Sequence, residues 1–356
     1  MFLPKFLLFL PNFLILILKN EHKSTQQILN SLLAIVQFLF VSLIKFCANS
    51  FIFIVIKCVL YYNFYMKFVK LDFYDQFCCL ASDCKDSCCS AGWQIDVDAK
   101  TMQRYSLSNN PKIQQLTQFV ARDKHNFYIR QSHNLCPFFC NDGLCNIVKQ
   151  FGDKYLCDVC KNFPRVETRC GDVVEQNLSF ACEQVCNLVL NHKLPIKLVC
   201  TKIGPNDKLV CQKQNVIGAI QNKKILFKNR LKNLKDLCKF DDLCLTNFGA
   251  EIANCEWLKV NASALSYSAK SFIFSDGELE NILTCIVFRH FVGDNNQNGL
   301  VQLRLCILML YICNFLADNY QKNNVPLYKV EALKTFAREF ENSNKNLDIL
   351  KNIVKN

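Results

Sequence analysis

Several features that would assign a function quickly are missing from this 356-residue chain. There is no basic stripe with interleaved aromatics. The formal charge of +12 is scattered through Asn/Lys-rich stretches, which gives no support to a nucleic-acid partner and is compatible with an anionic substrate. No strand–Gly-x-Gly-x-Gly–helix segment is present, so the usual cradle for a nucleotide cofactor is absent. The C-x3-C-x2-C triplet of radical enzymes is absent too, because Cys84, Cys88 and Cys89 have the wrong last step. No internal repeat and no regular disulfide-framework spacing occur. The chain is also far too long to be a disulfide-stapled mini-protein.

What the chain has in excess is cysteine. Thirteen of the 23 cysteines lie between Cys78 and Cys186. They form two knots, CCLASDCKDSCCSAGW (78–93) and CPFFCNDGLCNIVKQFGDKYLCDVCKNFPR (136–165), and a closing piece, SFACEQVC (179–186). C-x-x-C and Cys-Cys pairs favour thiolates used as metal ligands in a reducing cytosol. Cystines are the alternative, and the odd total leaves one thiol over. We expect the three segments to fold back around an iron–sulfur cluster, since thiolate donors match the softness of iron. The first knot offers Cys84, Cys88 and Cys89, although adjacent Cys88 and Cys89 are poorly placed to share one ion. Cys136 and Cys145 flank a turn at Asn141-Asp142-Gly143, and Cys160 and Cys182 complete the candidates. A structural zinc site with four thiolates fits the same spacings.

Residues 1–65 are strongly apolar, with Lys45 and Lys57 as interruptions. Three readings apply: a membrane anchor, a signal peptide that lacks a small-residue cleavage site, or a translated upstream stretch preceding a soluble domain that starts at Met66. Further on, alternation over 95–98 predicts a short strand and 101–105 the start of a helix. Residues 111–121 predict one amphipathic helix, 123–135 a strand with exposed edges, and 147–156 a short helix weakened at Gly152-Asp153. From Ser179 the pattern is helical, with Ser179 or Asn177 as cap. Helices are also expected over 216–237, 278–292, 300–320 and from Pro326 to about 340, followed by a short final helix. The apolar run 300–320 contains Arg304, which is costly in lipid, so a buried bundle helix is the preferred reading. The fold expected is mainly α with a few short strands, a cysteine-rich metal-cluster core (66–193) packed against a C-terminal helical bundle (194–356).

The order of segments carries a resemblance. DCKDSCCSAGWQIDVDAKT, then CPFFCNDGLCNIVKQFGDKYLCDVCKNFPR, then E-x-x-LSFAC resembles the flagellin lysine-N-methylase family. The residues that carry it include Cys84, Cys88, Cys89, Gly92, Trp93, Cys136, Pro137, Gly143, Cys145, Gly152, Cys160 and Arg165. One departure is the extra residue among Ser90 and Ala91, which lengthens the turn before Gly92-Trp93. The resemblance implies a [4Fe-4S] cluster, S-adenosylmethionine as methyl donor, and lysine ε-amines of flagellin as acceptors. It implies a bacterial cytoplasmic protein, associated with the inner membrane only through residues 1–65 if these belong to the mature chain. A non-enzymatic zinc or iron–sulfur module is the alternative.

Individual side chains each have two readings. Trp93 either stacks on a cofactor or fills a core. Arg165 either grips a carboxylate or closes a local salt bridge. Asp96 and Asp98 either serve as a base for the lysine amine or cap and solvate. His133 is a ligand or a surface residue. Glu175 is expected to orient the third segment. Cys47, Cys58, Cys285, Cys306 and Cys313 sit in apolar runs and are expected to pack.

Overall fold

The computed structural model describes residues 67–124, 126–201, 207–240, 271–291 and 296–355. The chain divides into two units, Met1–Met66 and Lys67–Asn356. Everything described belongs to the second. The readings of residues 1–65, and of Cys47 and Cys58, lie outside the described residues.

A four-stranded sheet organises this unit. Its strands are β1 (Lys67–Leu71), β5 (Arg165–Cys170), β6 (Val173–Leu178) and β7 (Leu198–Thr201), in the order β5-β6-β1-β7. β5 and β6 form an antiparallel hairpin, β1 runs parallel to β6, and β7 is antiparallel to β1. The parallel pairing matters most for function. Lys67 lies opposite Val173 and Lys70 opposite Gln176, so the sheet clamps together the two ends of everything in between. The cysteine knots are thus carried on the long connection from β1 to β5, and the β5–β6 hairpin brings the chain back beside β1.

That connection has its own small sheet and helices. Strands β2 (Asp96–Val97), β3 (Val120–Arg122) and β4 (Phe127–Ile129) pair in the order β2-β4-β3. Around them stand α1 (Ala99–Ser106), α2 (Pro111–Gln114), α3 (Asn146–Phe151) and α4 (Asp158–Asn162). The strand expected at 95–98 and the helix expected from 101 are both present. The helix expected over 111–121 is shorter. Asn110 caps it and Pro111 starts it, but after one turn it tightens into a 3-10 segment, Gln115–Phe119. The β-branched Val120 then pairs with Ile129, and strand pairing wins over the amphipathic pattern. A small apolar core of Ile95, Tyr105, Leu116, Ile129, Phe138 and Ile147 holds this module.

The remaining chain is helical: α5 (Glu183–Asn191), α6 (Lys208–Ile220), α7 (Phe227–Cys238), α8 (Asp276–His290), α9 (Asn296–Lys322), α10 (Tyr328–Phe336) and α11 (Asn344–Ile353). The single helix expected over 216–237 is two, broken by the turn around Asn222. The helix expected from Ser179 starts at Glu183 instead. Ser179 bonds the Ala181 amide in the turn before it, and no side chain caps it at Cys182. α8 begins with a capping box, Ser275 and Glu278 bonding each other's backbone amides.

α9 is the hub, packed by α7, α8, α10 and α11. Over Gly299–Lys322 it is long and apolar enough to cross a membrane, yet 78% of its most apolar window is buried by protein. Arg304 is satisfied inside this packing by the carbonyls of Cys238 (2.5 Å) and Val354 (3.2 Å). Cys285, Cys306 and Cys313 are buried packing residues, and burial raises each thiol pKa. The larger core joins β1 and β6 with α5 through α11. The division expected at 193/194 therefore falls inside this core. The smaller core is the one belonging to the cysteine knots.

Candidate functional site

The tight turn at Cys140–Leu144 brings the two arms of the second knot together. Gly143 adopts a φ of +79°, and Phe139 bridges to Cys145. The Cys136 amide donates to the Cys89 carbonyl at 3.0 Å, which docks the first knot on the second. Gly92, with a φ of +75°, is the hinge of the first knot. A Cβ there would sit 3.0 Å from the Asn134 Cβ, so only glycine fits the close approach of the two knots.

This docking gathers four of the expected ligands. The sulfurs of Cys136, Cys145 and Cys88 stand near the Cys89 sulfur. Their proximity holds Cys89 below the ordinary thiol range against the opposing effect of burial. The three neighbours are correspondingly raised, first by the contact with Cys89 and then by burial.

Cys157 and Cys160 form a second pair beside it. The contact with Cys160 lowers Cys157, while the contact with Cys157 and then burial raise Cys160. Cys157 was not singled out as a ligand from the sequence, although its C-x-x-C spacing to Cys160 was the signal available.

Cys84 and Cys182 stand with Cys79 and Glu183. Burial pushes the Cys84 thiol up to about 11, and the Glu183, Cys182 and Cys79 charges push the same way. The Glu183 carboxylate accepts from the Lys85 amide at 3.0 Å and the Cys84 thiol at 3.8 Å. Asp86 then ties the first knot to the C-terminal helices through Lys334 (2.6 Å) and Arg338.

All seven expected ligand cysteines are free thiols, as are Cys79 and Cys157. Among the described residues, no group of three or more Cys, His, Asp or Glu is arranged so that it could hold a metal ion. What the residues do supply is the right chemistry of donor, free thiols that are mostly half-buried or buried, which suits a soft metal ion. His133 is exposed and, among the described residues, bonds Ser132, which fits a surface residue.

Beside the thiols opens a cavity of about 240 Å³. Trp93, Asp158, Phe163, Arg165, Ser179 and Asn342 are among its walls. Trp93 is fixed by its indole N–H, which donates to the Cys88 carbonyl at 2.7 Å, and its ring lies 5.0 Å from that of Phe163. Arg165 lies over the rings of Phe77 and Tyr74, and one amino group reaches the Phe77 carbonyl at 3.5 Å. No local salt bridge forms at Arg165 among the described residues. Asp98 supports the floor. One of its oxygens accepts from the Thr101 amide at 2.8 Å and the other from the Asp158 amide at 2.9 Å. Burial pushes its carboxyl up, but these amides outweigh that and hold it below the usual range. Asp98 is therefore a double cap rather than a free base. Asp96 is exposed and accepts from Gln94.

Known proteins sharpen the picture. The chain is 32% identical over 126 residues to a lysine-N-methylase of Salmonella typhimurium and to one of Salmonella choleraesuis. Each match covers 33% of this chain and 31% of the relative, so the chain spans about a third of those proteins. It is also 32% identical over 126 residues to the flagellar biosynthetic protein FliU of Salmonella muenchen, of which it covers 74%. No family model matches, and no solved structure does.

Proposed function

This chain belongs to the flagellin lysine-N-methylase family, and we propose that it transfers methyl groups from S-adenosylmethionine to lysine side chains of flagellin in the bacterial cytoplasm. One observation carries the reading: Trp93, in the wall of a cavity that is part aromatic and part charged, donates to the Cys88 carbonyl at 2.7 Å and so joins that cavity to the first cysteine knot. In this reading Cys88, Cys89, Cys136 and Cys145 are the core of the ligand set for a [4Fe-4S] cluster. Cys160, Cys84 and Cys182 are the reserve. When bound, such a cluster supplies a soft, redox-active centre beside the cavity. Metal binding requires deprotonated thiols, so loading such a cluster would release protons from these cysteines.

The residues of the chain supply position and charge. Arg165 offers a planar fork for the carboxylate of the methyl donor. Trp93, held by the Cys88 carbonyl, offers a face for its cationic sulfur.

Anaerobic purification followed by iron, sulfide and zinc analysis tests the metal. Iron with acid-labile sulfide and a brown colour is the outcome this reading requires. Zinc in stoichiometric amount would favour a structural module instead. Labelled S-adenosylmethionine incubated with flagellin tests the reaction, and methyl-lysine that persists in a strain lacking the gene would refute it.

A further inference from the structure

We infer that Asp158 is a binding residue of the cavity beside the thiols. It pairs with Arg165 to recognise the zwitterionic amino-acid end of the methyl donor, while Trp93 and Phe163 face its sulfonium. This rests on the reading that the chain uses S-adenosylmethionine and assigns to that site a residue that the family pattern leaves unassigned.

The argument starts from the charges. Both Asp158 and Arg165 line the same cavity, one anionic and one cationic. Neither is ion-paired among the described residues. Asp158 is exposed and held through its backbone amide by Asp98, and its carboxylate makes no bond among the described residues. Arg165, also exposed, lies over the Tyr74 and Phe77 rings and makes one long bond to the Phe77 carbonyl. A pocket for a bare alkylammonium needs only the anion, and one for a simple carboxylate needs only the cation. A pocket that carries both suits a ligand that carries both, an α-amino acid.

The aromatic wall adds the third element. A positive sulfur within reach of an indole face is favoured over a neutral thioether. Size fixes which part enters. At about 240 Å³ the cavity lies below the range of roughly 300–1,000 Å³ that encloses a whole drug-sized ligand. The amino-acid end and sulfur fit inside, and the nucleoside remains at the open mouth.

The test is calorimetric titration of the full-length, anaerobically prepared chain with three probes: S-adenosylmethionine, S-adenosylhomocysteine and 5′-methylthioadenosine, which lacks the amino-acid end. Asp158→Asn and Arg165→Gln are each expected to weaken S-adenosylmethionine about tenfold, the loss of one charge-assisted bond. They are expected to leave 5′-methylthioadenosine unchanged. Trp93→Leu is expected to shrink the preference for S-adenosylmethionine over S-adenosylhomocysteine several-fold. Equal weakening of all three probes would mark a structural role and overturn the assignment. So would wild-type affinity for S-adenosylmethionine in both charge variants. A wild-type chain that binds none of the probes would overturn the methyl-donor reading itself.

Discussion

Cys89 sits where the two knots dock, its carbonyl accepting from the Cys136 amide at 3.0 Å. Cys89→Ser replaces its thiol with a poor metal ligand. We expect anaerobically prepared C89S to lose most of its iron and its visible absorption, whereas Cys170→Ser, which lies outside the knots, should keep both. Elsewhere Lys213 and Glu175 form a buried ion pair. Both are essentially unexposed, and Lys213 also donates to the Phe288 carbonyl at 2.7 Å. Burial raises the Glu175 carboxyl against the pull of Lys213. Lys213→Met strands a buried carboxylate and should cost about 3–5 kcal/mol in a urea melt. The double variant with Glu175→Leu should recover most of that. The sequence pointed to Glu175 as an orienting residue but said nothing of Lys213, which sits 38 residues away.

Among the elements, α1 and α4 depend on one carboxylate. Asp98 caps the first through Thr101 and bonds the first amide of the second, so a cap visible in the sequence also works at a distance of 60 residues. Asp98→Ala should destabilise by about 1–2 kcal/mol, the usual value of a lost cap, by thermal melting. The same group sets a pH dependence. Its folded carboxyl lies below the ordinary value near 3.9, so its contribution is complete above that value and is lost as pH falls through the folded one. The stability gap between wild type and Asp98→Asn should therefore close on acidification below about pH 4. Helices with strong caps, such as α8, were legible in sequence. The shortened α2 was not, because the competing partner of Val120 comes from a strand nine residues further along.

At the scale of the whole unit, the pairing of β1 with β6 closes the cysteine module at its base, and Asp86 fastens its tip to α10. The module itself has a small apolar core. A metal bound to its thiols should then contribute a large share of its stability, because binding to the folded state alone shifts the folding equilibrium. Removing the metal with a chelator should lower the melting temperature and raise amide hydrogen exchange across residues 78–162. Exchange in α8 and α9, which belong to the larger core, should change little. Uniform loosening of both regions would show that the module and the helical core are not separable.

The sequence by itself determined the chemistry: which thiols exist, the tight turn between Cys136 and Cys145, the buried α9 and the family. These are local, set by residue type and short spacing. Only the tertiary structure decided that β1 pairs with β6, that the two knots dock at Cys89, and that Trp93, Asp158 and Arg165 share a wall. Each of these depends on contacts between residues far apart in the chain. Strand pairing and side-chain convergence are chosen by the packing of the whole, so no local pattern records them.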